Sequence, residues 1–587
     1  MQLARVDSLA LLGLNAIAVR IEVQIARGLP AFHLVGLPAA LVRESRERVR
    51  AAICQSGFEF PQQRLTVNLA PADLPKDSNG FELPIALGIL VASRQLPAAA
   101  LAGLVFLGEL SLGGQLQPVR AAFALGLGFA RSLDEQPKAS GANRPILLVP
   151  PGSAPDCARA YAGPVWHAPD LKALNQCLLK RLEGKPHQAQ SAPPSPPDDG
   201  SDCDGFAGKE PSAAAQVLAP IQAAQSDLSP RLHGPQGTSH EVPDLCDIRG
   251  NPLAKLAACV AAVGGHHLLL VGPPGCGKTM LAQAMAAITP PPSLAVQREQ
   301  MALESLKNSR WRATQTPRQP VFRQPHHSAS VSALCGGGSP PRPGEISLAH
   351  GGILFLDELT EFDPRVLEAL REPLQAGCMH LAKGTHSAEF PARFQLVAAS
   401  NPCPCGFASG DPDSRAQGAI PSCLCTPERL RRYQSRISGP FRDRIDLQIQ
   451  WPAQASNADE TDWAFELMAP MFQAHGVVCS RLDSQAARSL AERCRSMQWT
   501  RQNCLNAHLQ AAQVVSVVGI DPQQHPLLRR LAAIGFSQRA LFAVARVARS
   551  LADMFGLADV DERCFALAIQ LRRLPSFETS GSALASV

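Results

Sequence analysis

The eight residues GPPGCGKT at positions 272–279 decide the fold of this chain, because they fit the phosphate-binding pattern G-x-x-x-x-G-K-[ST]. They follow an apolar run, LLLV at 268–271, and precede a helix-forming run, MLAQAMAAI at 280–288. A loop between a strand and a helix turns its backbone amides and the positive end of the helix dipole toward phosphate oxygens. The alternative is a glycine-rich turn that arises by chance. The predicted nucleotide loop consists of Gly272, Pro273, Pro274, Gly275, Cys276, Gly277, Lys278 and Thr279.

Lys278 is expected to reach the β and γ phosphates of the nucleotide, and the hydroxyl of Thr279 to bind Mg²⁺. A second motif, ILFLDE at 353–358, is an apolar run that ends in adjacent carboxylates. This arrangement suits Asp357 to hold Mg²⁺ through water and Glu358 to activate the attacking water. Taken alone, such a pair is more often a solvated turn at a strand end. Together with the upstream loop it predicts ATP hydrolysis.

Two further polar positions fit the same chemistry. The run FQLVAAS at 394–400 leads into Asn401, a neutral side chain able to orient the attacking water, although a plain turn at Asn401-Pro402 is the alternative. Arg444 lies in RISGPFRDRIDL at 436–447, and an arginine at the end of an element can stabilise the γ-phosphate of a neighbouring subunit. The alternative for Arg444 is a surface salt bridge.

The cysteines Cys403, Cys405, Cys423 and Cys425 form two C-x-C pairs separated by 17 residues. Four thiolates can close a tetrahedral Zn²⁺ site, so a zinc-binding module at 403–425 is predicted. The alternative is four reduced cysteines in a loop. His326 and His327 also resemble metal ligands, but neighbouring residues on a strand or loop are expected to point apart, which disfavours joint ligation.

Composition limits the classes of protein that the chain can represent. Its 587 residues suggest three or four units, and 51 prolines, 44 glycines and 18% charged residues indicate long unpacked connections. A net charge of +5 does not by itself indicate a nucleic-acid-binding protein. The N-terminus has no signal-peptide pattern and the apolar stretch at 83–107 is interrupted, so a cytoplasmic protein without disulfides or a membrane span is expected.

The pattern along the chain predicts an α/β protein in four parts. Residues 1–182 mix alternating and helical runs, as in an α+β domain, whereas 183–243 are rich in Pro, Ser, Gly and Asp and are predicted to be a disordered linker. Residues 244–455 alternate strands and helices around a parallel sheet, and 456–587 are predicted to form an α-helical lid.

Beyond these motifs, the chain resembles the ComM/YifB family of magnesium-chelatase-like AAA+ ATPases outside the linker. The resemblance implies an N-terminal ChlI-type domain with a Lon-protease-like (S5-like) fold, a central AAA+ domain, and a chelatase-like C-terminal domain. The blocks that carry it are GLPAFHLVGLP at 28–38, ESRERVRAAI at 44–53, VNLAPADLPKD at 67–77, FLGELSLGGQLQPVR at 106–120, FRQPHHSASVSALCGGG at 322–338, PGEISLAHGGILFLDEL at 343–359, NPCPCG at 401–406 and RISGPFRDRIDL at 436–447.

The same resemblance assigns roles to individual residues. It implies a homo-hexameric ring with ATP at the subunit interfaces, Asn401 as the sensor-1 residue, Arg444 as the arginine finger, and Arg539 in FSQRAL as the sensor-2 arginine. In the first domain the nucleophile of the Lon protease falls on Gly80 and its lysine on Phe123, so no peptidase activity is expected. Lys76 and Ser78 lie close by in sequence and keep that question open.

For function, the resemblance implies ATP-driven translocation on single-stranded or branched DNA, with branch migration during natural transformation. An inserted loop between the two nucleotide motifs and a hairpin around residues 383–385 are the expected contacts to the phosphate backbone. The chain has no base-reading motif, which predicts sequence-independent binding. The alternatives are a metal-chelatase ATPase subunit and a protein-remodelling AAA+ chaperone.

Overall fold

The computed structural model describes residues 2–36, 39–71, 79–135, 144–183, 242–308, 311, 319–383, 386–408, 423–451, 460–521 and 525–572. The predicted linker therefore lies outside the described residues, except for 183, 242 and 243. Lys76, Ser78 and the hairpin tip at 384–385 are also outside them. Among the residues that are described, every helix is too short or too polar to cross a membrane.

The N-terminal unit begins with a four-stranded sheet of order β1-β2-β4-β3, in which only β3 and β4 are parallel neighbours. Side chains alternate between buried and more exposed positions along β2, as expected when one face of a sheet covers a core. The elements are β1 (Gln2–Leu12), β2 (Asn15–Ala26), β3 (Ala31–Val35), α1 (Ala39–Gln55) and β4 (Arg64–Ala70).

The second half of this unit contains a three-stranded parallel sheet of order β5-β8-β9 and a short β6-β7 hairpin. The apolar run within 83–107 forms α2, which is buried on nearly all sides and is a core helix. The elements are α2 (Glu82–Ala92), β5 (Leu104–Phe106), β6 (Glu109–Leu110), β7 (Leu116–Gln117), α3 (Ala122–Asp134), β8 (Ile146–Val149), α4 (Ala154–Ala160), β9 (Val165–His167) and α5 (Leu171–Leu182).

The central unit contains a five-stranded sheet of order β11-β14-β17-β10-β18, in which all neighbouring strands are parallel. The first elements are α6 (Pro252–Gly264), β10 (Leu268–Val271), α7 (Lys278–Ile288), α8 (Leu294–Lys307), β11 (Phe322–Arg323), α9 (Val331–Cys335), β12 (Gly336–Gly337), β13 (Arg342–Pro343) and α10 (Glu345–Leu348). The later ones are β14 (Ile353–Leu356), α11 (Pro364–Ala369), α12 (Pro373–Ala376), β15 (Cys378–Lys383), β16 (His386–Pro391), β17 (Gln395–Ser400), α13 (Pro427–Gln434), α14 (Gly439–Arg442) and β18 (Leu447–Gln450).

This strand order explains where a ligand can bind. In parallel sheets the loops at the carboxyl ends of the strands carry the binding residues. The phosphate-loop motif follows β10, the carboxylate pair follows β14, and Asn401 follows β17. Because β14, β17 and β10 are neighbours in the sheet, the fold brings the three predicted motifs to one edge.

The C-terminal region is helical, as predicted, but it does not form a separate core. Its helices pack against α6 and α7, and their apolar side chains join those of β10 and β18 in one hydrophobic cluster. The helices are α15 (Glu460–Ala474), α16 (Ser484–Gln502), α17 (Ala511–Val518), α18 (Pro526–Ala533), α19 (Gln538–Met554) and α20 (Glu562–Gln570).

A buried charged cluster fixes these helices to the sheet. Asp446, just before β18, is nearly inaccessible and lies 3.2 Å from both His266 Nδ1 and Arg546 Nη2. Burial opposes ionisation of this carboxyl, but the charges of Arg546 and the hydrogen bond from His266 hold its pKa well below its usual range. Arg572 donates to the backbone oxygens of Ile445 and Asp446. Removing one member would leave a buried charge without its partner, which is strongly destabilising.

The N-terminal unit contacts the central unit through α3 and α8. Phe123 of α3 lies edge-on to Trp311, with 5.6 Å between the ring centroids, and belongs to an apolar cluster that includes Leu303 and Phe390. Beside this cluster, Arg131 forms an ion pair with Glu299 of α8. Phe123 is therefore a buried residue of an interface between the two units.

Candidate nucleotide site and cysteine cluster

The loop at 272–279 connects β10 to α7 through a turn that depends on glycine. Gly275 and Gly277 have φ angles of 75° and 98°, a left-handed region that other residues rarely adopt. Lys278 begins α7 and is 7% exposed, and its Nζ donates to the carbonyl oxygens of Gly272 and Pro273 at 2.8 and 2.7 Å. Burial lowers the pKa of this amine, partly opposed by the nearby Cys276 and Asp357. The loop thus presents a single buried cation.

Thr279 and Asp357 come together beside this cation. Thr279 Oγ1 donates to Asp357 Oδ2 at 3.0 Å, although 78 residues separate them in sequence. A hydroxyl and a carboxylate side by side are hard oxygen donors, the type that Mg²⁺ prefers. The donor set therefore fits a magnesium ion bound together with nucleotide phosphates.

Asn401 reaches the same point from β17. Its Oδ1 accepts a hydrogen bond from Lys278 Nζ at 3.3 Å, and the neighbouring Ser400 accepts one from Gly272 N through its backbone oxygen at 3.1 Å. Both bonds join the end of β17 to the phosphate loop. The structure thus places Asn401, Lys278, Thr279 and Asp357 in one site.

Glu358 is exposed and stands at the edge of this site with φ of 51°, while its backbone N donates to Asp357 Oδ1 at 3.0 Å. Its Oε2 lies 3.3 Å from His327 Nδ1. Sequence reasoning missed this partner, because the pair in QPHHSAS was considered only as metal ligands. The signal available in the sequence was a polar pair placed between the two nucleotide motifs.

The sequence interpretation expected the two histidines to point apart, and this expectation is wrong. Their ring centroids are 4.2 Å apart, because this segment is a turn and not a strand. They nevertheless have different partners, since His326 Nδ1 is 2.7 Å from Ser328 Oγ and His327 faces Glu358.

Arg444 and Arg539 meet each other at a different place. Both contact the side-chain oxygen of Gln375, Arg444 through Nη2 at 3.0 Å and Arg539 through Nη2 at 3.4 Å. Burial and the charges of Arg539 and Arg371 lower the pKa of Arg444. Within the described part of the chain, no hydrogen bond or ion pair joins either arginine to residues 272–279. Among the described residues, the two arginines are therefore joined at Gln375 and make no hydrogen bond to the nucleotide loop.

The four predicted cysteine ligands converge. Cys403 Sγ is 3.2 Å from Cys405 Sγ and 3.7 Å from Cys423 Sγ, Cys405 and Cys423 are 3.5 Å apart, and all four sulfurs, including Cys425, lie within 4.8 Å of one another. A tetrahedral zinc site with Zn–S bonds of about 2.3 Å has sulfurs about 3.8 Å apart, so the cluster fits that ion.

This cluster also contacts the nucleotide loop. Gly406 packs so closely on Pro274 that a Cβ at this position would lie 2.6 Å from the proline ring. A small cleft beside this contact is lined by Gly406, Phe407, Pro273 and Trp451. The cysteine cluster and the phosphate loop thus form a continuous surface.

Comparisons with known proteins find family matches over three parts of the chain. Residues 244–459 match the family described as magnesium chelatase, subunit ChlI; residues 21–135 match subunit ChlI of Mg-chelatase, and 481–572 match its C-terminal part. The chain is 37% identical over 560 residues to the uncharacterized protein YifB of Salmonella typhimurium, covering 94% of each chain. It is 34% identical over 575 residues to competence protein ComM of Haemophilus influenzae, covering 98% of each. A 141-residue stretch, 24% of this chain and 15% of its relative, is 31% identical to the probable DNA helicase MCM8 of Arabidopsis thaliana.

Proposed function

This chain belongs to the ComM/YifB family of magnesium-chelatase-like AAA+ ATPases, and from that premise we propose that it is an ATP-driven ring motor acting on DNA. The observation that carries the proposal is the convergence of Lys278, Thr279, Asp357 and Asn401 in one site, next to a cysteine cluster. The proposed biological role is branch migration when incoming DNA recombines during natural transformation. The name of the Haemophilus relative, competence protein ComM, supports that role.

Each residue of the nucleotide site has its own proposed role in ATP hydrolysis. The backbone N–H groups of Gly275, Cys276 and Gly277 and the amine of Lys278 would hold the phosphates, and Thr279 with Asp357 would hold a magnesium ion, which would supply positive charge at the phosphate oxygens. Glu358 accepts a proton from the attacking water, and Asn401 orients that water. His327 competes for the carboxylate of Glu358 before the water is engaged.

We place Arg444 and Arg539 at the nucleotide of a neighbouring subunit. The two guanidinium groups share Gln375 and lie apart from their own phosphate loop, so a ring of identical subunits is the arrangement that gives them an anion. The proposed assembly is a homo-hexamer with ATP at each interface.

A basic face beside the cysteine cluster is the proposed site of DNA contact. Helix α13 follows the cluster directly, and Arg429, Arg431 and Arg432 on it are exposed. Arginines of this kind contact phosphates and give binding that depends on salt and not on base sequence. The proposed substrate is therefore single-stranded or branched DNA of any sequence.

Zinc in the four-cysteine cluster is part of this proposal. The ion would hold Asn401 and α13, which flank the cluster, in a fixed relation. Replacing Cys403 and Cys423 with serine is expected to release the metal and to weaken DNA binding more than ATP binding. Elemental analysis of the native protein tests this directly, since a metal-free wild type would remove zinc from the account.

The proposed division of the chain follows the sequence interpretation, with units at 1–182, 244–455 and 456–587 joined by the segment 183–243. A Lon-protease-like fold for the first unit is likewise proposed, supported by its mixed sheets and by the chelatase family match over residues 21–135. Because the C-terminal helices share a core with the ATPase sheet, we expect these two parts to unfold together.

The experiment that tests the function is ATPase activity with a panel of single-stranded, forked, junction and duplex DNA, and with an unfolded protein. The proposal predicts stimulation by single-stranded or branched DNA, falling as salt is raised. Stimulation by the unfolded protein alone would favour a protein-remodelling activity. A rate that no DNA changes would contradict the proposal.

A further inference from the structure

A second group of metal-ligating side chains lies on the β15–β16 hairpin, apart from the four-cysteine cluster. Cys378 and His380 are two positions apart on β15, so they lie on the same face of the strand. Glu389 of β16 is directly opposite His380 in the antiparallel register. Their three ligand atoms lie within 4.8 Å of one another.

The spacing of these atoms suits a tetrahedral metal ion. Cys378 Sγ is 3.3 Å from His380 Nε2, and a carboxylate oxygen of Glu389 lies within 4.8 Å of the sulfur and of one ring nitrogen of His380. Zn–S and Zn–N bonds of about 2.3 and 2.0 Å place sulfur and nitrogen about 3.5 Å apart. The thiol and the imidazole therefore already have nearly the separation that coordination needs, without movement of the backbone.

The charges around the thiol favour a cation. The carboxylates of Glu389 and Glu372 place negative charge near the Cys378 thiol, opposed by the positive charge of Arg393. A bound cation would replace the thiol proton, which leaves to solvent, and would offset both carboxylates.

We infer that Cys378, His380 and Glu389 form a second metal site, which takes a thiophilic divalent cation such as Zn²⁺. Thiolate and imidazole ligands exclude Mg²⁺ and Ca²⁺, which prefer oxygen. The side chains of His380 and Glu389 are 56% and 61% exposed, so water supplies the fourth ligand. This inference does not depend on the proposed DNA motor.

A metal at this position links the two strands near the base of the hairpin. The chain leads from β16 into the ATPase sheet, since β17 begins at Gln395, and Ala392 N donates to Gly377 O at 2.8 Å just beyond the site. The ion would therefore fix the register of the hairpin relative to the strand that carries Asn401. The ion would act before the start of β17, whereas the four-cysteine cluster follows Asn401 after the end of that strand.

The test measures metal bound to the full chain after equilibration with buffered Zn²⁺ and removal of the free ion. Cys378→Ser and His380→Ala are each expected to lower the bound zinc by about one equivalent per chain. The matched control is Cys54→Ser, which removes an exposed thiol of α1 and is expected to leave the metal content unchanged. Circular dichroism verifies that each variant is folded.

Cobalt provides a second measurement that does not depend on the number of zinc ions bound per chain. The wild-type chain loaded with Co²⁺ is expected to lose part of its thiolate-to-cobalt charge-transfer absorption when Cys378 is replaced by serine, and none when Cys54 is replaced. The remaining absorption belongs to the four-cysteine cluster and disappears in the Cys403→Ser, Cys423→Ser double variant. If Cys378→Ser and His380→Ala bind as much zinc and show the same cobalt spectrum as the wild type, the second site does not exist.

Discussion

The residue with the most open role is Glu358, because its carboxylate is exposed and bound to His327 instead of to another group of the nucleotide site. Its neighbour Asp357 is fixed by Thr279, so the two adjacent acids have different surroundings. One is held where a magnesium ion would bind, and the other is free to move between a histidine and a water molecule. That difference supports separate roles for the two carboxylates.

Replacing Glu358 with glutamine should separate binding from hydrolysis. The amide cannot accept the proton of water, so kcat for ATP should fall by about 10²- to 10⁴-fold while the Kd for ATP stays within a few fold. Lys278→Ala is the comparison, since loss of the buried amine should abolish tight binding. Steady-state ATPase rates and nucleotide titrations measure both. Normal turnover by the glutamine variant would show that Glu358 is not the base.

Replacing His327 with alanine should release the Glu358 carboxylate. An exposed contact of this type contributes about 0.2–1 kcal/mol, so the ATPase rate without DNA should rise about 1.4- to 5-fold. His326→Ala is the matched control, because His326 contacts Ser328 and not Glu358. If His327→Ala leaves the basal rate unchanged or lowers it, the histidine does not restrain the base.

At the scale of elements, short strands bounded by sharp sequence changes could be predicted. The apolar runs at 268–271 and 353–356 match β10 and β14 residue for residue. These elements are fully buried or strongly periodic, so burial alone dictates their pattern. The turn at 326–327 was misjudged because adjacent polar residues carry no periodicity.

Helix α2 is buried on all sides but begins with a carboxylic acid. Burial raises the pKa of Glu82 to about 7, although Leu110 N donates to its Oε2 at 2.8 Å and Arg48 lies 3.5 Å from its Oε1. A carboxyl whose pKa is raised in the folded state contributes most stability below pH 4.5, and that contribution is lost as pH rises through about 7.

Glu82→Gln should therefore stabilise the N-terminal unit at pH 8 by about 2 kcal/mol and change it much less at pH 5. The measurement is the thermal unfolding of the full chain at both pH values. Glu59→Gln, at an exposed position, should leave the pH dependence as in the wild type. Equal stability of Glu82→Gln and wild type at pH 8 would mean that the carboxyl is ionised in the folded protein at no cost.

At the scale of the whole molecule, the contacts between units could not be predicted from the sequence. Phe123 was noted only as the place of a missing protease lysine, yet it is a buried interface residue. Arg444 and Arg539 were predicted separately, and their meeting at Gln375 depends on how the C-terminal helices dock. Motifs determine which residues line a site, but such contacts arise from side chains that are distant in sequence and follow no local pattern.

Trp311→Ala should loosen the contact between the N-terminal and central units. Loss of the edge-on contact with Phe123 removes about 0.5–1.5 kcal/mol of stabilisation, in addition to the stabilisation that comes from buried area. The backbone amides of α3 and α8 should therefore exchange hydrogen faster. Trp499→Ala is the matched control, because that tryptophan is 51% exposed on α16. Unchanged exchange in both helices would show that the two units are held together by other contacts.

The central claim, that ATP hydrolysis at this site moves DNA, is tested most directly by migration of a labelled three-strand junction whose sequence permits branch movement. The wild-type protein with ATP and Mg²⁺ should convert the junction to its products, and Glu358→Gln, which binds ATP without hydrolysing it, should not. If the wild type moves no junction while hydrolysing ATP, or the glutamine variant moves it equally well, the account of this protein as an ATP-driven DNA motor is wrong.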